Sequence, residues 1–407
     1  MIYHLIDFLK DYDFPGQGLF QYLSFRAIIS FSTALLFSVF FGKKFIAKIK
    51  AKQIGEDIRD LGLAGQMEKK GTPTMGGILI FFSIIIPVLL FANLTNIYIQ
   101  LLLITTVWFF LIGFADDYIK VFKKNKDGLS PKMKLIAQTA MGLAVALAVC
   151  FSEDIVVRES TENIVKSTTT TIPFIKSHEF DYAWLSPFGG EFGVYFKWVI
   201  YVAMIILVIT SCSNGVNLTD GIDGLATGTS AIVGVVLGIF AWLGGNILDA
   251  EYLNIMYIPG SGEIAVFMSA FVGALIGFLW YNSFPAQVFM GDTGSLTIGG
   301  IIGVIAILIH KEILLVLLCG IFVAENLSVI LQVAYFKQGK KKGIKQRIFR
   351  RTPLHHHYNV EDSKLDKECT YIFKGPERPM HEAKVTVRFW IVTVIMAAIT
   401  LMTLKIR

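Results

Sequence analysis

The chain contains the stretch Asn-Gly-Val-Asn-Leu-Thr-Asp-Gly-Ile-Asp-Gly at residues 214–224, a polar run between two long apolar blocks, 198–210 and 225–243. Blocks of this length are typical of helices that cross a membrane. Carboxylates and carboxamides beside hydrocarbon are costly unless they face water, a metal ion or a substrate. If its last five residues are helical, Asp220 and Asp223 share a face. The stretch is therefore either a polar turn between two spans or part of a functional site.

The composition is that of a polytopic membrane protein. Of the 407 residues, 54% are hydrophobic and 17% are charged, and the mean hydropathy is +0.61. Soluble domains are about 45–50% apolar and about 25% charged. The net charge of +6 is modest and predicts no nucleic-acid partner. The four cysteines are scattered, with no spacing typical of a metal site or a disulfide framework. Aspartates at 7, 11 and 13 argue against a cleavable signal peptide.

Ten apolar segments predict an all-α integral membrane protein with about ten transmembrane helices, treated as a single polytopic domain over residues 1–407. Most segments approach the ~20 residues that a span requires. They are residues 20–41, 75–94, 97–115, 132–151, 197–213, 225–243, 264–281, 295–310, 311–336 and 388–405. Only residues 310–312 separate the segments at 295–310 and 311–336, so a helix can also begin earlier or kink there.

The distribution of basic residues predicts the orientation. Ten spans place five loops on one side, and with flanking residues these loops hold 28 of the 37 lysines and arginines. The loops are residues 42–74, 116–131, 211–224, 282–294 and 337–387. By the positive-inside rule this side is cytoplasmic, and both termini lie outside.

Two connections are long enough to have structure of their own. Residues 152–196 form an insert on the outer, periplasmic side, where a small β-hairpin or a surface-lying structure is expected. Residues 337–387 form a basic cytoplasmic loop that carries three consecutive histidines. Its lysine run is typical of a segment that contacts lipid headgroups.

The polar clusters of the chain all fall on the predicted cytoplasmic side. They are residues 69–77, 115–118, 214–224, 281–282 with 289–295, and 351–358. Five clusters on one face predict a single site at the inner surface of the membrane.

Aspartates are the strongest chemical signal within these clusters. Asp116 and Asp117 directly follow an apolar run, and paired carboxylates can hold a divalent cation or divide the roles of base and anion. A polar helix end is the alternative. Asp292 lies between glycines at a predicted helix start, where it can ligate Mg²⁺ while the free amides of the first turn face an anion. Simple N-capping is the alternative there.

The histidines at 355–357 are not a zinc site by pattern. Adjacent side chains diverge, and no cysteine or glutamate stands at zinc-like spacing. Beside Arg350 and Arg351 they indicate phosphate contacts or acid–base groups, and a solvated polar loop is the alternative. Aspartate, lysine and histidine with few thiols favour Mg²⁺ over zinc.

These motifs resemble those of the phospho-N-acetylmuramoyl-pentapeptide transferases, a branch of the polyprenyl-phosphate N-acetylhexosamine-1-phosphate transferase superfamily. The matching pieces are residues 70–77, 116–117, 217–226, 289–295 and 352–358, which span most of the chain. The aspartate pair and the Gly-Asp-Thr-Gly-Ser piece resemble the whole superfamily. The Thr-Pro-Thr-Met-Gly-Gly and Pro-Leu-His-His-His pieces point to the muramoyl-pentapeptide branch.

The resemblance implies an enzyme that transfers phospho-N-acetylmuramoyl-pentapeptide from UDP-N-acetylmuramoyl-pentapeptide to undecaprenyl phosphate. The products would be lipid I and UMP, in the first membrane step of peptidoglycan synthesis. It further implies Mg²⁺ as cofactor, a homodimer, and a place in the bacterial cytoplasmic (inner) membrane with the active site facing the cytoplasm. A site at that interface reaches both a soluble nucleotide sugar and a lipid phosphate in the bilayer.

The resemblance also implies roles for individual residues. Asp292 would ligate Mg²⁺ with help from Asn217, Asp116 would take the residual proton of the lipid phosphate or position it, and Asp117 would support the metal–phosphate arrangement. The uridine end would be held by Asn217, Asp220, Asn282 and Phe289, the last by stacking, in a pocket completed by Lys69, Thr74 and Asp223. Phosphate or the sugar-peptide would be contacted by His355, His356 and His357.

Three alternatives remain at the level of sequence. A sister transferase that moves N-acetylglucosamine-1-phosphate to the same lipid shares the superfamily pieces. A secondary transporter is less consistent, because the charged residues cluster at one interface and no two-half repeat is evident. A lipid-binding scaffold gives no reason for five converging polar clusters. Direct attack is preferred over a phospho-aspartyl intermediate, because a clamped lipid phosphate is already a nucleophile.

Overall fold

The computed structural model describes residues 1–405 except 10–15, 53–70, 126, 159–163, 174–178, 342, 344, 362, 364, 367 and 377. The described chain is mainly helical. Its helices are α1 (Ile2–Phe8), α2 (Leu23–Lys52), α3 (Gly77–Phe91), α4 (Ile97–Val121), α5 (Pro131–Phe151), α6 (Gly190–Thr219), α7 (Leu225–Gly244), α8 (Ile247–Leu253), α9 (Gly262–Asn282), α10 (Gly291–Leu308), α11 (Glu312–Leu318), α12 (Gly320–Lys341), α13 (Leu354–Asn359) and α14 (Glu382–Met402). The strands are β1 (Val157–Arg158), β2 (Ile164–Val165), β3 (Thr169–Thr171), β4 (Glu179–Asp181), β5 (Gln346–Arg347) and β6 (Thr370–Tyr371).

The prediction of an all-α integral membrane protein is confirmed. Among the described residues, eight helices are long and apolar enough to cross a membrane: α2, α4, α5, α6, α7, α9, α10 and α14. The pair α11 and α12 would add a ninth span if it acts as one, although it is bent by 83°. Helix α3 has 15 residues, about 22 Å, and so is shorter than a ~30 Å hydrocarbon core. Each of the ten predicted segments overlaps a helix. The chain breaks between α10 and α11, near residues 310–312 as expected, and a second bend of 83° follows at Cys319.

Three helices form the centre of the bundle. In α7, α9 and α10, 72%, 78% and 89% of the apolar window is buried inside the protein, whereas the value for α6 is 17%. Most buried apolar side chains of these three helices belong to one hydrophobic cluster with α3 and α4. The outer helices keep apolar side chains on the surface, as expected of helices that face lipid.

Helix α10 is rich in glycine, which lets its neighbours approach closely. A Cβ at Gly299 or Gly303 would collide with the α6 backbone near Cys212 and Ile209. A Cβ at Gly300 would collide with the Phe109 ring of α4. Small residues at such positions are typical of helix contacts inside membranes. The middle of α10 is therefore packed closely between α4 and α6.

The insert contains two small antiparallel sheets, β1–β2 and β3–β4. The β3 strand lies against the corner between α10 and α11, where the Thr171 amide donates to the His310 carbonyl at 3.1 Å. Helix α6 already begins at Gly190, so the end of the predicted insert is helical. This corner lies at the end of α10 remote from Asp292.

The basic loop is folded against α12. The Gln332 Oε1 atom accepts hydrogen bonds from the Ile348 and Phe349 amides, both at 3.0 Å. Strand β5 pairs in parallel with β6, and α13 carries the three histidines. The four cysteines at 150, 212, 319 and 369 are free thiols.

Candidate active site

The stretch at 214–224 is half helix and half turn. Helix α6 continues through Asn214 and Asn217 to Thr219, and Asp220 is its C-cap. The following residues form a turn that ends at Gly224, whose φ of +71° favours glycine. Residues 220–224 are therefore not helical, and the expected common helix face of the two aspartates does not exist. Because α6 extends further than its apolar block, Asn217 reaches α10.

An aspartate from another helix binds the first turn of α10. The Asp117 carboxylate accepts hydrogen bonds from the Asp292 amide at 3.1 Å, the Thr293 amide at 2.8 Å and the Thr293 hydroxyl at 2.5 Å. Gly291 has a φ of +71°, and a Cβ there would press on the Asp117 carboxylate. The anion at this helix start is therefore the Asp117 carboxylate of α4. It accepts hydrogen bonds from backbone amides that have no partner within the helix.

Three carboxylates converge at this point. One oxygen each from Asp116, Asp117 and Asp292 can be chosen so that all lie within 4.8 Å of one another. The Asp116 side chain is fully buried and that of Asp292 is 15% exposed. Asp116 and Asp292 are thus close enough to act on the same small group.

Two lysines join the carboxylates. The Lys120 ammonium lies 2.5 Å from Asp116 Oδ2 and 3.2 Å from Asp292 Oδ2. The Lys134 ammonium lies 2.9 Å from Asp116 Oδ1 and 2.5 Å from Asp292 Oδ2. Lys120 follows Asp116 by one helical turn, a spacing that could have identified it, whereas Lys134 comes from α5 and only the fold brings it here. Three carboxylates and two ammonium groups leave a formal charge of −1.

The residues present fit a hard divalent cation. Mg²⁺ prefers oxygen ligands at 2.0–2.1 Å, which places neighbouring ligand oxygens about 3–4 Å apart. One oxygen from each of the three aspartates lies within 4.8 Å of the others, which is close enough for all three carboxylates to face one such ion. Asn217 lies beside them, since its Nδ2 donates to Asp292 Oδ1 and to Ser295 Oγ, both at 2.9 Å.

The segment at 73–77 pairs with the residues before α10. The Gly76 amide donates to the Phe289 carbonyl at 2.8 Å, and the Phe289 amide donates to the Pro73 carbonyl at 2.8 Å. The Thr74 hydroxyl lies close to Gly291. Thr74 and Phe289, both half-buried, are therefore brought to the edge of the carboxylate cluster. Lys69 lies outside the described residues.

Asn282 and Asp223 support the segment that leads to α10. The Thr227 hydroxyl donates to Asn282 Oδ1 at 2.7 Å, and Asn282 Nδ2 donates to the Val288 carbonyl at 3.0 Å. The Ala286 amide donates to Asp223 Oδ2 at 2.9 Å. Both side chains are buried, so these contacts fix the path of the backbone between α9 and Phe289.

The three histidines are buried, which excludes a solvated loop. His355 Nδ1 and its amide both lie near Glu325 Oε1, at 3.1 and 3.2 Å, and its ring packs directly against Gly221. His357 Nδ1 accepts from the Arg350 amide at 3.1 Å. Burial and the Arg350 guanidinium lower the pKa of His357. Glu325 lies outside every sequence motif described above, and only the structure identifies it as the partner of His355. The predicted phosphate or sugar-peptide contacts of His355, His356 and His357 remain predictions.

Comparison with known proteins places this arrangement in a family. The family model described as Glycosyl transferase family 4 matches residues 99–310, so the bundle and its carboxylate–lysine cluster define a polytopic membrane transferase of that class. The phospho-N-acetylmuramoyl-pentapeptide-transferase signature 1 matches residues 69–81. Over all of both chains, the protein is 54% identical to the phospho-N-acetylmuramoyl-pentapeptide-transferase of Phocaeicola vulgatus, 53% to that of Bacteroides thetaiotaomicron and 51% to that of Flavobacterium johnsoniae. The chain belongs to the phospho-N-acetylmuramoyl-pentapeptide-transferase family.

Proposed function

We propose that the protein transfers phospho-N-acetylmuramoyl-pentapeptide from its UDP-linked donor to undecaprenyl phosphate, giving lipid I and UMP. The observation that carries this proposal is the meeting of Asp116 and Asp292 with Lys120 and Lys134 at the ends of apolar helices. The reaction joins an anionic phosphate to an anionic diphosphate, so repulsion has to be offset by cations. A cluster of acid and ammonium groups at a membrane surface supplies both a base and positive charge.

The bonds that change follow from the substrates. A phosphate oxygen of the lipid forms a bond to the phosphorus that carries the sugar. The bond from that phosphorus to the bridging oxygen breaks, and this oxygen leaves on UMP. Direct attack is our proposal, with Asp116 accepting the residual proton of the lipid phosphate. Lys120 and Lys134 would stabilise the negative charge that passes between the phosphates.

A bound Mg²⁺ would supply further neutralisation of phosphate oxygens. Asp292 would hold it with Asn217, and Asp117 would keep Asp292 in place through the first turn of α10. Asn217, Asp220 and Phe289 would hold the uridine, with Asn282 and Asp223 fixing the segment that carries Phe289. Lys69 and Thr74 would complete this pocket.

The proposed setting is the bacterial cytoplasmic membrane, with the site on the cytoplasmic side and two copies forming a homodimer. The charge distribution supports the orientation, and family resemblance supports the dimer. The mass of the purified protein–detergent complex, corrected for detergent by light scattering, tests the dimer. A single-copy mass would contradict it.

The test of function is UMP release by the purified protein in detergent with undecaprenyl phosphate. We expect release with UDP-N-acetylmuramoyl-pentapeptide, and loss of release when EDTA removes divalent cations. Release with UDP-N-acetylglucosamine alone would instead identify the sister transferase. No release with either donor, from protein whose unfolding is cooperative, would refute the proposal.

A further inference from the structure

The start of α14 contacts three parts of the candidate active site. The Met380 amide donates to the Tyr358 carbonyl of α13, the histidine helix, at 2.8 Å. The His381 ring packs edge-on against the ring of Phe284, in the segment between α9 and α10, with 4.7 Å between their centroids. The third part is the turn at 220–224. The sequence motifs described above do not include the start of α14, so only the fold brings it to the site.

Two side chains of α14 bind the backbone of this turn at Asp223. The Asp223 amide donates to Glu382 Oε1 at 2.7 Å, and the Thr386 hydroxyl donates to the Asp223 carbonyl at 3.0 Å. Glu382 and Thr386 are four residues apart, so they lie on the same face of α14. All three residues are buried. Because α14 holds both the amide and the carbonyl of one residue, this point of the turn has little freedom to move.

Direct hydrogen bonds join the same turn to the start of α10. Asp223 Oδ2 accepts from the Ala286 amide at 2.9 Å, three residues before Phe289. On the other side of the turn, Asn217 Nδ2 donates to Asp292 Oδ1 at 2.9 Å. The turn is therefore tied at one end to the carboxylate–lysine cluster and at the other end to the segment that leads into α10. A shift of Asp223 would be passed on to both.

The carboxylate of Glu382 is suited to this contact. Burying a carboxylate is costly unless hydrogen bonds compensate for the lost water. A hydrogen bond from a backbone amide to a carboxylate is stronger than one between neutral groups. Glu382 also stands in the first turn of α14, where the helix dipole stabilises a negative charge. Packing alone would be served as well by an apolar side chain of similar volume. The carboxylate therefore indicates a role in fixing Asp223.

We propose that Glu382 is a positioning residue for the nucleotide donor and acts with Thr386 through Asp223, an inference that rests on the proposed function. The proposed uridine contacts Asp220 and Phe289 lie on the two segments that Asp223 joins. Glu382 touches no substrate in this role. It fixes the turn relative to the segment before α10, so that both uridine contacts face the same nucleotide. Loss of Glu382 therefore weakens donor binding and leaves the chemistry at the carboxylate–lysine cluster in place.

The experiment measures UMP release against the concentration of UDP-N-acetylmuramoyl-pentapeptide. Glu382→Ala should raise the donor KM about tenfold, as for the loss of one charge-assisted hydrogen bond, while kcat changes less than about threefold. Glu382→Gln keeps an acceptor oxygen and should return the KM to within about threefold of the native value. Thr386→Val keeps the shape without the hydroxyl and should raise the KM about threefold, and it carries the test if Glu382→Ala does not fold. Lys384→Ala, at an exposed lysine of the same helical turn, is the control and should behave as the native protein.

A merely structural role would lower the folded fraction, which reduces the rate but leaves the KM unchanged. Native KM values in Glu382→Ala and Thr386→Val would therefore overturn the proposal, as would a Glu382→Gln protein no better than Glu382→Ala. Calorimetric binding of the donor is the second measurement. If the native protein binds the donor without releasing UMP and both variants weaken binding, the proposed function fails and the positioning role stands. If the native protein releases UMP and all variants bind the donor equally, only the positioning role is overturned.

Discussion

At the scale of the residue, adjacent aspartates have different environments. Asp117 accepts three hydrogen bonds from the first turn of α10, whereas Asp116 accepts the Leu129 amide at 2.7 Å and contacts both lysines. Asp292 shares those lysines and is partly exposed. The proposed roles follow from this difference, since Asp116 and Asp292 form ion pairs with Lys120 and Lys134, whereas Asp117 binds the backbone of α10. Asp117 acts through the position of α10.

Replacing Asp292 by Asn tests the metal site. We expect UMP release to fall at least about 100-fold and its Mg²⁺ dependence to weaken, because one ligand charge is lost while the shape is kept. Activity is measured across a Mg²⁺ titration. Asp127→Asn, at an exposed aspartate of the neighbouring loop, is the control and should behave as the native protein. Near-normal activity of Asp292→Asn would remove this residue from the metal site.

Replacing Asp116 by Asn tests the proton acceptor. An amide cannot take the proton of the lipid phosphate, so kcat should fall by about 100-fold or more while nucleotide affinity changes little. Steady-state kinetics give kcat, and calorimetry with the donor gives affinity. Retention of kcat at neutral pH would argue against this role. A parallel loss of affinity would indicate that Asp116 binds the donor instead.

At the scale of the element, the site depends on where α10 begins. Helix α3 starts so close to α10 that a Cβ at Gly77 would collide with the Gly294 backbone, and one at Gly113 of α4 would collide with the Asp292 carbonyl. These backbone contacts fix the first turn together with the Asp117 hydrogen bonds. A shift of this turn would separate Asp292 from Asp116 and both lysines.

Gly77→Ala should therefore damage both stability and activity. Overpacking against backbone that cannot move aside costs about 1–3 kcal/mol. We expect a lower thermal unfolding midpoint and a fall in UMP release of about tenfold or more, since a small misplacement of reacting groups is enough for such losses. Gly18→Ala is the control, because nothing lies within 4 Å of its added Cβ. Full activity of Gly77→Ala would show that the α3–α10 contact does not set the site.

The histidine helix should be sensitive to acid. The folded protein lowers the pKa of His357 through burial and the Arg350 guanidinium, so the unfolded chain, with a pKa near 6.5, binds the proton first. Its contribution to stability is therefore complete above about pH 6.5 and is lost as the pH falls towards the folded pKa. Thermal unfolding at pH 7 and pH 5 should show a fall that is smaller in His357→Gln. The same fall in both proteins would contradict this.

At the scale of the whole molecule, the bundle separates two polar ends. The carboxylate–lysine cluster lies where α4, α5 and α10 meet at one end, and the insert contacts His310 at the other end of α10. The buried centre of α7, α9 and α10 connects them. The cluster and the insert therefore lie at opposite ends of α10.

Cysteine labelling tests this orientation. In a variant whose four native cysteines are replaced by serine, Asp127→Cys should react with a membrane-impermeant maleimide only when the cytoplasmic side is open. Glu191→Cys, an exposed residue at the start of α6, should react from the outside. The charge distribution gives the expected sides. Reaction of both cysteines from one side would refute the topology.

Much of this protein follows from local sequence patterns. Apolar runs predicted the helices, because burial in hydrocarbon acts on each segment separately. The sides on which the loops lie remain a prediction from the basic residues. Asp116, Asp117 and Asp292 were predicted as site residues because each stands beside an apolar run. Tertiary structure alone decided that Asp117 binds an amide 176 residues away, that Lys134 joins Asp116, and that His355 is enclosed by Glu325. Such partners depend on how separate helices pack, and no periodicity within one segment encodes that.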